Sequence, residues 1–136
     1  MSELRYLLDT NICIYVAKRR PPAVARRFAK LPAGSVGMST ITYGELRFGA
    51  EKSERRTQSL DILRGFAEIV PVIALTPVVG ETYGRLRAEL ERAGKPIGNN
   101  DLWIAAHALA LGVVLVTNNT REFKRVSGLA VENWAS

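Results

Sequence analysis

Cysteine and histidine are almost missing from this chain, which has one of each, Cys13 and His107, in 136 residues. A lone cysteine excludes an internal disulfide, and one cysteine with one histidine cannot build a structural zinc site. A Cys–His nucleophilic pair would have to use both, without any accompanying signature. His107 stands among alanines, where a packing role is the plain expectation, and Cys13 reads as a small buried hydrophobe. Also absent are a Walker A loop, a G-x-G-x-x-G after the first strand and an H-E-x-x-H pair, so ATP, NAD and zinc chemistries fall away. No apolar run approaches the roughly 20 residues of a membrane-spanning helix. The opening MSELRYLLDTN has neither the basic start nor the long apolar stretch of a signal peptide. The expectation is a soluble, cytoplasmic protein with no membrane partner. With no repeat, low-complexity segment or linker, one domain over residues 1–136 is expected.

What is present is an average globular composition with a basic surplus. Hydrophobic residues make up 47% and charged residues 24%, which predicts a packed core and not a disordered chain. Lys and Arg number 19 against 13 acids, a net charge of +6. Most of the cations are Arg, the side chain suited to bidentate phosphate contact, which makes nucleic acid a natural partner. Charge alone discriminates poorly, because basic surfaces also bind acidic proteins. Pairs such as Arg55-Arg56 are ordinarily solvated helix faces.

Apolar patterning predicts helices alternating with short strands. Tyr6-Leu7-Leu8 reads as a buried strand that ends at Asp9-Thr10-Asn11, a helix N-cap, with helices over Ile12 to Lys18 and from Pro22 through Leu31. A short strand at Val36-Gly37-Met38 precedes a helix opened by Thr42-Tyr43-Gly44-Glu45. Leu60, Leu63 and Phe66 mark another helix, Ile69 to Leu75 a strand, and Thr76-Pro77 the start of a helix carrying Val79, Tyr83, Leu86 and Leu90. The loop Gly94 to Asn100 delivers Asp101 to an Ala-rich helix ending near Gly112. A strand over Val113 to Val116 stops at Thr117-Asn118-Asn119, followed by a short helix around Arg121 to Lys124 and a last strand near Leu129 to Val131. This order predicts an α/β chain, a three-layer α/β/α fold around a mainly parallel sheet. Ligand sites in such sheets lie at the carboxyl ends of strands near a topological switch point. Asp9 and Asn119 end strands there, and Glu45 and Asp101 begin helices.

With other chemistries excluded, carboxylates remain. Carboxylates within about 4 to 6 Å of one another raise each other's pKa and call for a cation. A hard divalent ion, Mg²⁺ or Mn²⁺, suits them and could activate water against a phosphodiester. Each acid also has a plainer account. Asp9 caps a helix, Thr42-x-x-Glu45 and Asn119-x-x-Glu122 have the form of capping boxes, and Asp101 complements a helix dipole.

Four stretches in order resemble the PIN-domain family, and within it the VapC-type toxins of bacterial toxin-antitoxin pairs. They are Leu7-Leu8-Asp9-Thr10-Asn11, Ser39 to Leu46, Gly98 to Ala108, and Leu115 to Phe123. The resemblance covers essentially the whole chain. It implies a Mg²⁺- or Mn²⁺-dependent endoribonuclease in which Asp9, Glu45 and Asp101 match the family's three principal acids. Thr117 matches a hydroxyl position near the metal and Asn11 a supporting polar position. Many PIN domains carry a fourth Asp where this chain has Asn119, with Glu122 within reach of the same role. Lys95, Arg121 and Lys124 are expected to meet RNA phosphates. The resemblance further implies an RNA substrate, commonly a tRNA anticodon stem-loop, and a VapB-type antitoxin whose tail blocks the site. Promoter DNA would be bound only through the antitoxin, and the expected assembly is a homodimer. Phe28, Leu60, Leu63 and Phe66 are candidates for the antitoxin groove. Two other functions remain open on sequence: a housekeeping RNA-processing nuclease without antitoxin, and a non-catalytic binding domain on the same fold. A phosphoaspartyl phosphatase would want a second Asp where Asn11 stands.

Overall fold

The computed structural model describes residues 3–135. Five short parallel strands form one sheet in the order β3-β2-β1-β4-β5: β1 (Tyr6–Leu8), β2 (Val36–Ser39), β3 (Val72–Ile73), β4 (Val114–Val116) and β5 (Val131–Glu132). β1 lies at the centre, with Tyr6 opposite Val36 on one side and Val114 on the other. The chain first builds outward through β2 and β3, then returns to the far edge of β1 as β4. The crevice between the carboxyl ends of β1 and β4 is therefore the switch point.

Alternation along the strands divides the core into two layers. Leu7 and Leu115 face one cluster, closed by Val79, Leu86, Leu90, Leu102, Ile104 and Phe123. Tyr6, Leu8, Val36, Met38 and Val116 face the other, closed by Ile12, Val24 and Phe66. The first cluster is covered by α5 (Pro77–Arg92), α6 (Asn99–Leu111) and α7 (Thr120–Phe123). The second is covered by α1 (Thr10–Lys18), α2 (Pro22–Ala29) and α4 (Arg56–Ile69). Between the layers, α3 (Thr40–Glu51) contributes Ile41 to one cluster and Tyr43 and Leu46 to the other. The result is the expected three-layer α/β/α arrangement.

Three local expectations are corrected. α3 begins at Thr40, capped by Ser39, whose Oγ accepts from the Ile41 amide at 3.1 Å. Thr42 is therefore inside the helix, fully buried with a hydroxyl that has no partner among the described residues, and no Thr42–Glu45 capping box forms. The strand expected over Ile69 to Leu75 shrinks to Val72–Ile73, because α4 runs on through Ile69 and only two residues reach the sheet edge. The last strand lies at Val131–Glu132, just beyond the expected Leu129 to Val131. Among the described residues no helix is long and apolar enough to cross a membrane.

Candidate functional site

Asp9 is the first residue after β1, and the abrupt end of that apolar strand at the switch point sets its role. Its Oδ1 accepts from the Ile12 amide at 2.9 Å and so caps α1. Its Oδ2 accepts from the Thr117 hydroxyl, which stands at the matching position after β4. Capping and site membership are thus two uses of one carboxylate. Thr117 in turn accepts from the Asn119 amide at 2.9 Å, fixing the turn that leaves β4. Both Asp9 and Thr117 are buried.

Glu45 lies on the second turn of α3 and is half-buried; Thr10 donates to its Oε1 at 2.5 Å and the Asn100 amide reaches its Oε2 at 3.4 Å. Asp101 occupies the first turn of α6. Glu122, on α7, accepts from the Gly98 amide at 3.0 Å and from the Asn119 side chain at 2.9 Å. It therefore ties α7 to the residue that caps α6.

Electrostatics draws these acids into one group. Burial pushes the Asp101 carboxyl up to about 6, and the charges of Glu122, Asp9 and Glu45 add to the effect. Asp9 is also raised, chiefly by burial and further by Glu45, against the lowering hydrogen bonds from Thr117 and the Ile12 amide. Glu122 is lowered by its bonds to Gly98 and Asn119. Three acids therefore bear on Asp101, and two of the four carboxyls are held against their preferred charge state. The donors are all oxygen, which suits a hard divalent ion such as Mg²⁺ or Mn²⁺ and not zinc. Among the described residues, no three His, Cys, Asp or Glu side chains close around one point tightly enough to ligate together. Separate hydrogen bonds to Thr10, Thr117, Gly98 and Asn119 hold the acids on individual tethers.

The remaining candidates divide. Asn119 is in the cluster, but its amide is committed to Glu122. Asn11 is exposed and its amide meets Asn118 at 3.4 Å, with no hydrogen bond to an acid among the described residues. Lys95, Arg121 and Lys124 are exposed and have no ion pair among the described residues. They sit on the 93–98 loop, on α7 and at the residue that closes α7, segments joined by the Glu122–Gly98 bond and by Arg125 donating to the Pro96 carbonyl at 2.9 Å. Sequence reasoning did not find Thr10, Asn100 or Asn118. Asn118 joins α1 to the β4 turn through Asn11 and Tyr15. Their partners are 35 to 107 residues away in the chain, beyond any local spacing rule.

A five-stranded parallel sheet covered on both faces, with an all-oxygen acidic crevice at its switch point, defines the class. The PIN domain family model matches residues 6–129, and the chain belongs to the PIN-domain family. Within it the chain is of the VapC type. It is 46% identical over 131 residues to ribonuclease VapC2 of Haemophilus influenzae, covering 96% of this chain and 98% of that one. It is 43% identical over 132 residues to the tRNA(fMet)-specific endonuclease VapC of Shigella flexneri, covering 97% and 99%. The structure of DNA-bound VapBC from Salmonella typhimurium superposes with a TM-score of 0.91 at 40% identity, covering 97% and 99%.

Proposed function

We propose that this protein is a single-domain, divalent-metal-dependent endoribonuclease, the toxin of a VapBC-type toxin-antitoxin module. The observation that carries the reading is the crevice between β1 and β4, where Asp9, Glu45 and Glu122 all act on Asp101. Asp9, Glu45 and Asp101 would hold Mg²⁺ or Mn²⁺, with Glu122 and Asn119 at the fourth position. When bound, the ion supplies charge neutralisation among the acids and Lewis-acid polarisation of the phosphodiester. The chain supplies orientation: Thr117 fixes Asp9, Thr10 and Asn100 fix Glu45, and Glu122 fixes the turn that leads into Asp101. Lys95, Arg121 and Lys124 bind flanking RNA phosphates on the exposed side. The substrate is RNA, and the name of the Shigella flexneri relative points to a tRNA, with the initiator tRNA as the first candidate.

The antitoxin part of the proposal rests on a surface feature. A groove of about 590 Å³ between α1, α2 and α4 is lined by Val16, Phe28, Ile62, Phe66 and Ile69. It shares Ala17, Ile62 and Phe66 with a second groove of about 590 Å³ that runs along α3 to Thr10 and Glu45. Of the expected groove residues, Phe28, Leu63 and Phe66 line this path and Leu60 does not. An amphipathic antitoxin tail laid along it would end at the acids, which fits inhibition by occupation. A housekeeping nuclease has no evident use for an exposed apolar path into its site.

The test is to sequence the 5′ ends of RNA fragments after brief expression of the wild-type and Asp9→Ala proteins. Discrete new ends in a tRNA, present only with wild type, are expected. The same ends in both samples, or none in either, would overturn the nuclease reading.

A further inference from the structure

We propose that His107 and Ser39 are positioning residues that set how far α3 is slid along α6, and so hold Glu45 in place opposite Asp101. The inference rests on the functional reading above only in taking those acids as the working site. His107 is fully buried on α6, and its Nδ1 lies 2.8 Å from the Ser39 hydroxyl at the N-terminus of α3. The second tie between these helices is at the site itself, where Asn100 meets Glu45. Ser39 beside His107 and Glu45 beside Asn100 mean that the helices run antiparallel and are pinned twice. At 1.5 Å per residue, the two pins are spaced by roughly 9 Å along α3 and roughly 10 Å along α6. Two pins of matched spacing define a register.

The two ties are unequal. The Asn100–Glu45 contact is exposed and long at 3.4 Å, so water competes for it. The His107–Ser39 bond is buried and of normal length, where a polar contact is stronger and its loss more costly. Ser39 Oγ also accepts from the Ile41 amide, so one hydroxyl ties the N-terminus of α3 both to its own first turn and to His107. The imidazole is buried with the Ala74 backbone beside it, and its Nε2 has no well-formed hydrogen bond among the described residues. A buried imidazole with one ring nitrogen poorly satisfied is an arrangement that an apolar side chain would avoid. Its evident effect is to select one alignment of the two helices that carry the acids.

The experiment uses the full chain and four variants. His107→Asn keeps an acceptor close to the Nδ1 position, His107→Leu fills the space without one, Ser39→Thr keeps the hydroxyl and Ser39→Ala removes it. Calorimetry gives the Mn²⁺ affinity without RNA, and cleavage of an RNA cut by wild type gives kcat and KM. His107→Leu and Ser39→Ala are expected to bind Mn²⁺ about 10- to 100-fold more weakly and to lose kcat in proportion, with KM for RNA little changed. His107→Asn and Ser39→Thr should recover most of both. The double variant His107→Leu with Ser39→Ala should be no worse in Mn²⁺ affinity than Ser39→Ala alone, because that change already removes the bond to His107 together with the cap on the Ile41 amide. A folded His107→Leu protein with wild-type Mn²⁺ affinity, or His107→Asn as impaired as His107→Leu, would overturn the inference. If His107→Leu does not fold, the Ser39 pair decides by the same criterion. Cleavage surviving in Asp9→Asn would count against the functional reading and leave the register argument to the Mn²⁺ data.

Discussion

At the scale of single residues, Asp9 uses one carboxyl for two contacts, one oxygen capping α1 and the other accepting from Thr117. Asp9→Asn retains an acceptor for the Ile12 amide but loses the one for Thr117, so α1 stays capped while the cluster loses a charge. Cleavage should fall by more than the roughly 100-fold that even supporting residues of a metal site can cost, and excess EDTA should abolish it reversibly in wild type. A wild-type rate that persists in chelator would sink the metal mechanism. Asp101 also predicts a pH dependence. Its folded carboxyl is pushed up to about 6 from an ordinary 3.8, so between those values the folded state binds more protons than the unfolded one. With metal chelated, this group makes the fold less stable as pH rises through that window. Asp9 acts with the same sign, whereas Glu51 and Glu122 are lowered and act oppositely. The clean measurement is the difference in melting temperature between Asp101→Asn and wild type in chelator. It should grow in favour of the variant as pH rises from about 4 to about 6. A flat difference would show that the carboxyl is not held against its charge. Asn119→Asp places a carboxylate against Glu122, so it should lower stability in chelator while tightening Mn²⁺ binding, as a melting curve and a calorimetric titration would report together.

At the scale of elements, α3 illustrates why a capping pattern is not a cap. Thr42-x-x-Glu45 has the right residues, but the cap is Ser39, three residues earlier, where the strand ends, and the helix begins at Thr40. Thr42 is left with a buried hydroxyl that has no partner among the described residues. Replacing that hydroxyl with a methyl in Thr42→Val should raise stability by about 1 kcal/mol, since a buried unmet polar group is removed without changing shape. A capping role would give a loss of similar size, so a denaturant titration separates the two by sign. On the other side of the sheet, Leu86 is buried on α5. Leu86→Ala should cost about 2 to 5 kcal/mol without touching the acids, and Mn²⁺ affinity measured well below the melting temperature should be unchanged.

For the whole molecule, the chain sets an acidic crevice in a basic body of net charge +6. Binding of RNA should therefore weaken steeply with salt, as neutralised phosphates release counterions. Changing Lys95, Arg121 or Lys124 to Ala should each weaken RNA binding and reduce the slope of log affinity against log salt by about 1. Mn²⁺ affinity without RNA should stay as in wild type. Equal affinity at low and moderate salt would show that phosphate contact is not what the basic surplus does.

Much of this was legible in the chain because it depends on neighbours in sequence. Short apolar runs ended by Asp9 and Thr117, helical spacing along α5, and Gly112 closing α6 in a left-handed conformation (φ 68°) follow from local periodicity and backbone sterics. They determine the alternating elements, the parallel sheet and the presence of acids at strand ends. What tertiary structure alone decided is who meets whom. Asp9 and Thr117 stand 108 residues apart and share a hydrogen bond because β1 and β4 are adjacent in the sheet. Glu45 is held by Thr10 and not by its own helix, Glu122 braces Gly98, and His107 finds Ser39 across a buried interface. Periodicity tells which face of an element is apolar, but the pairing of polar side chains depends on strand order and helix register. Those are set by the packing of the whole core.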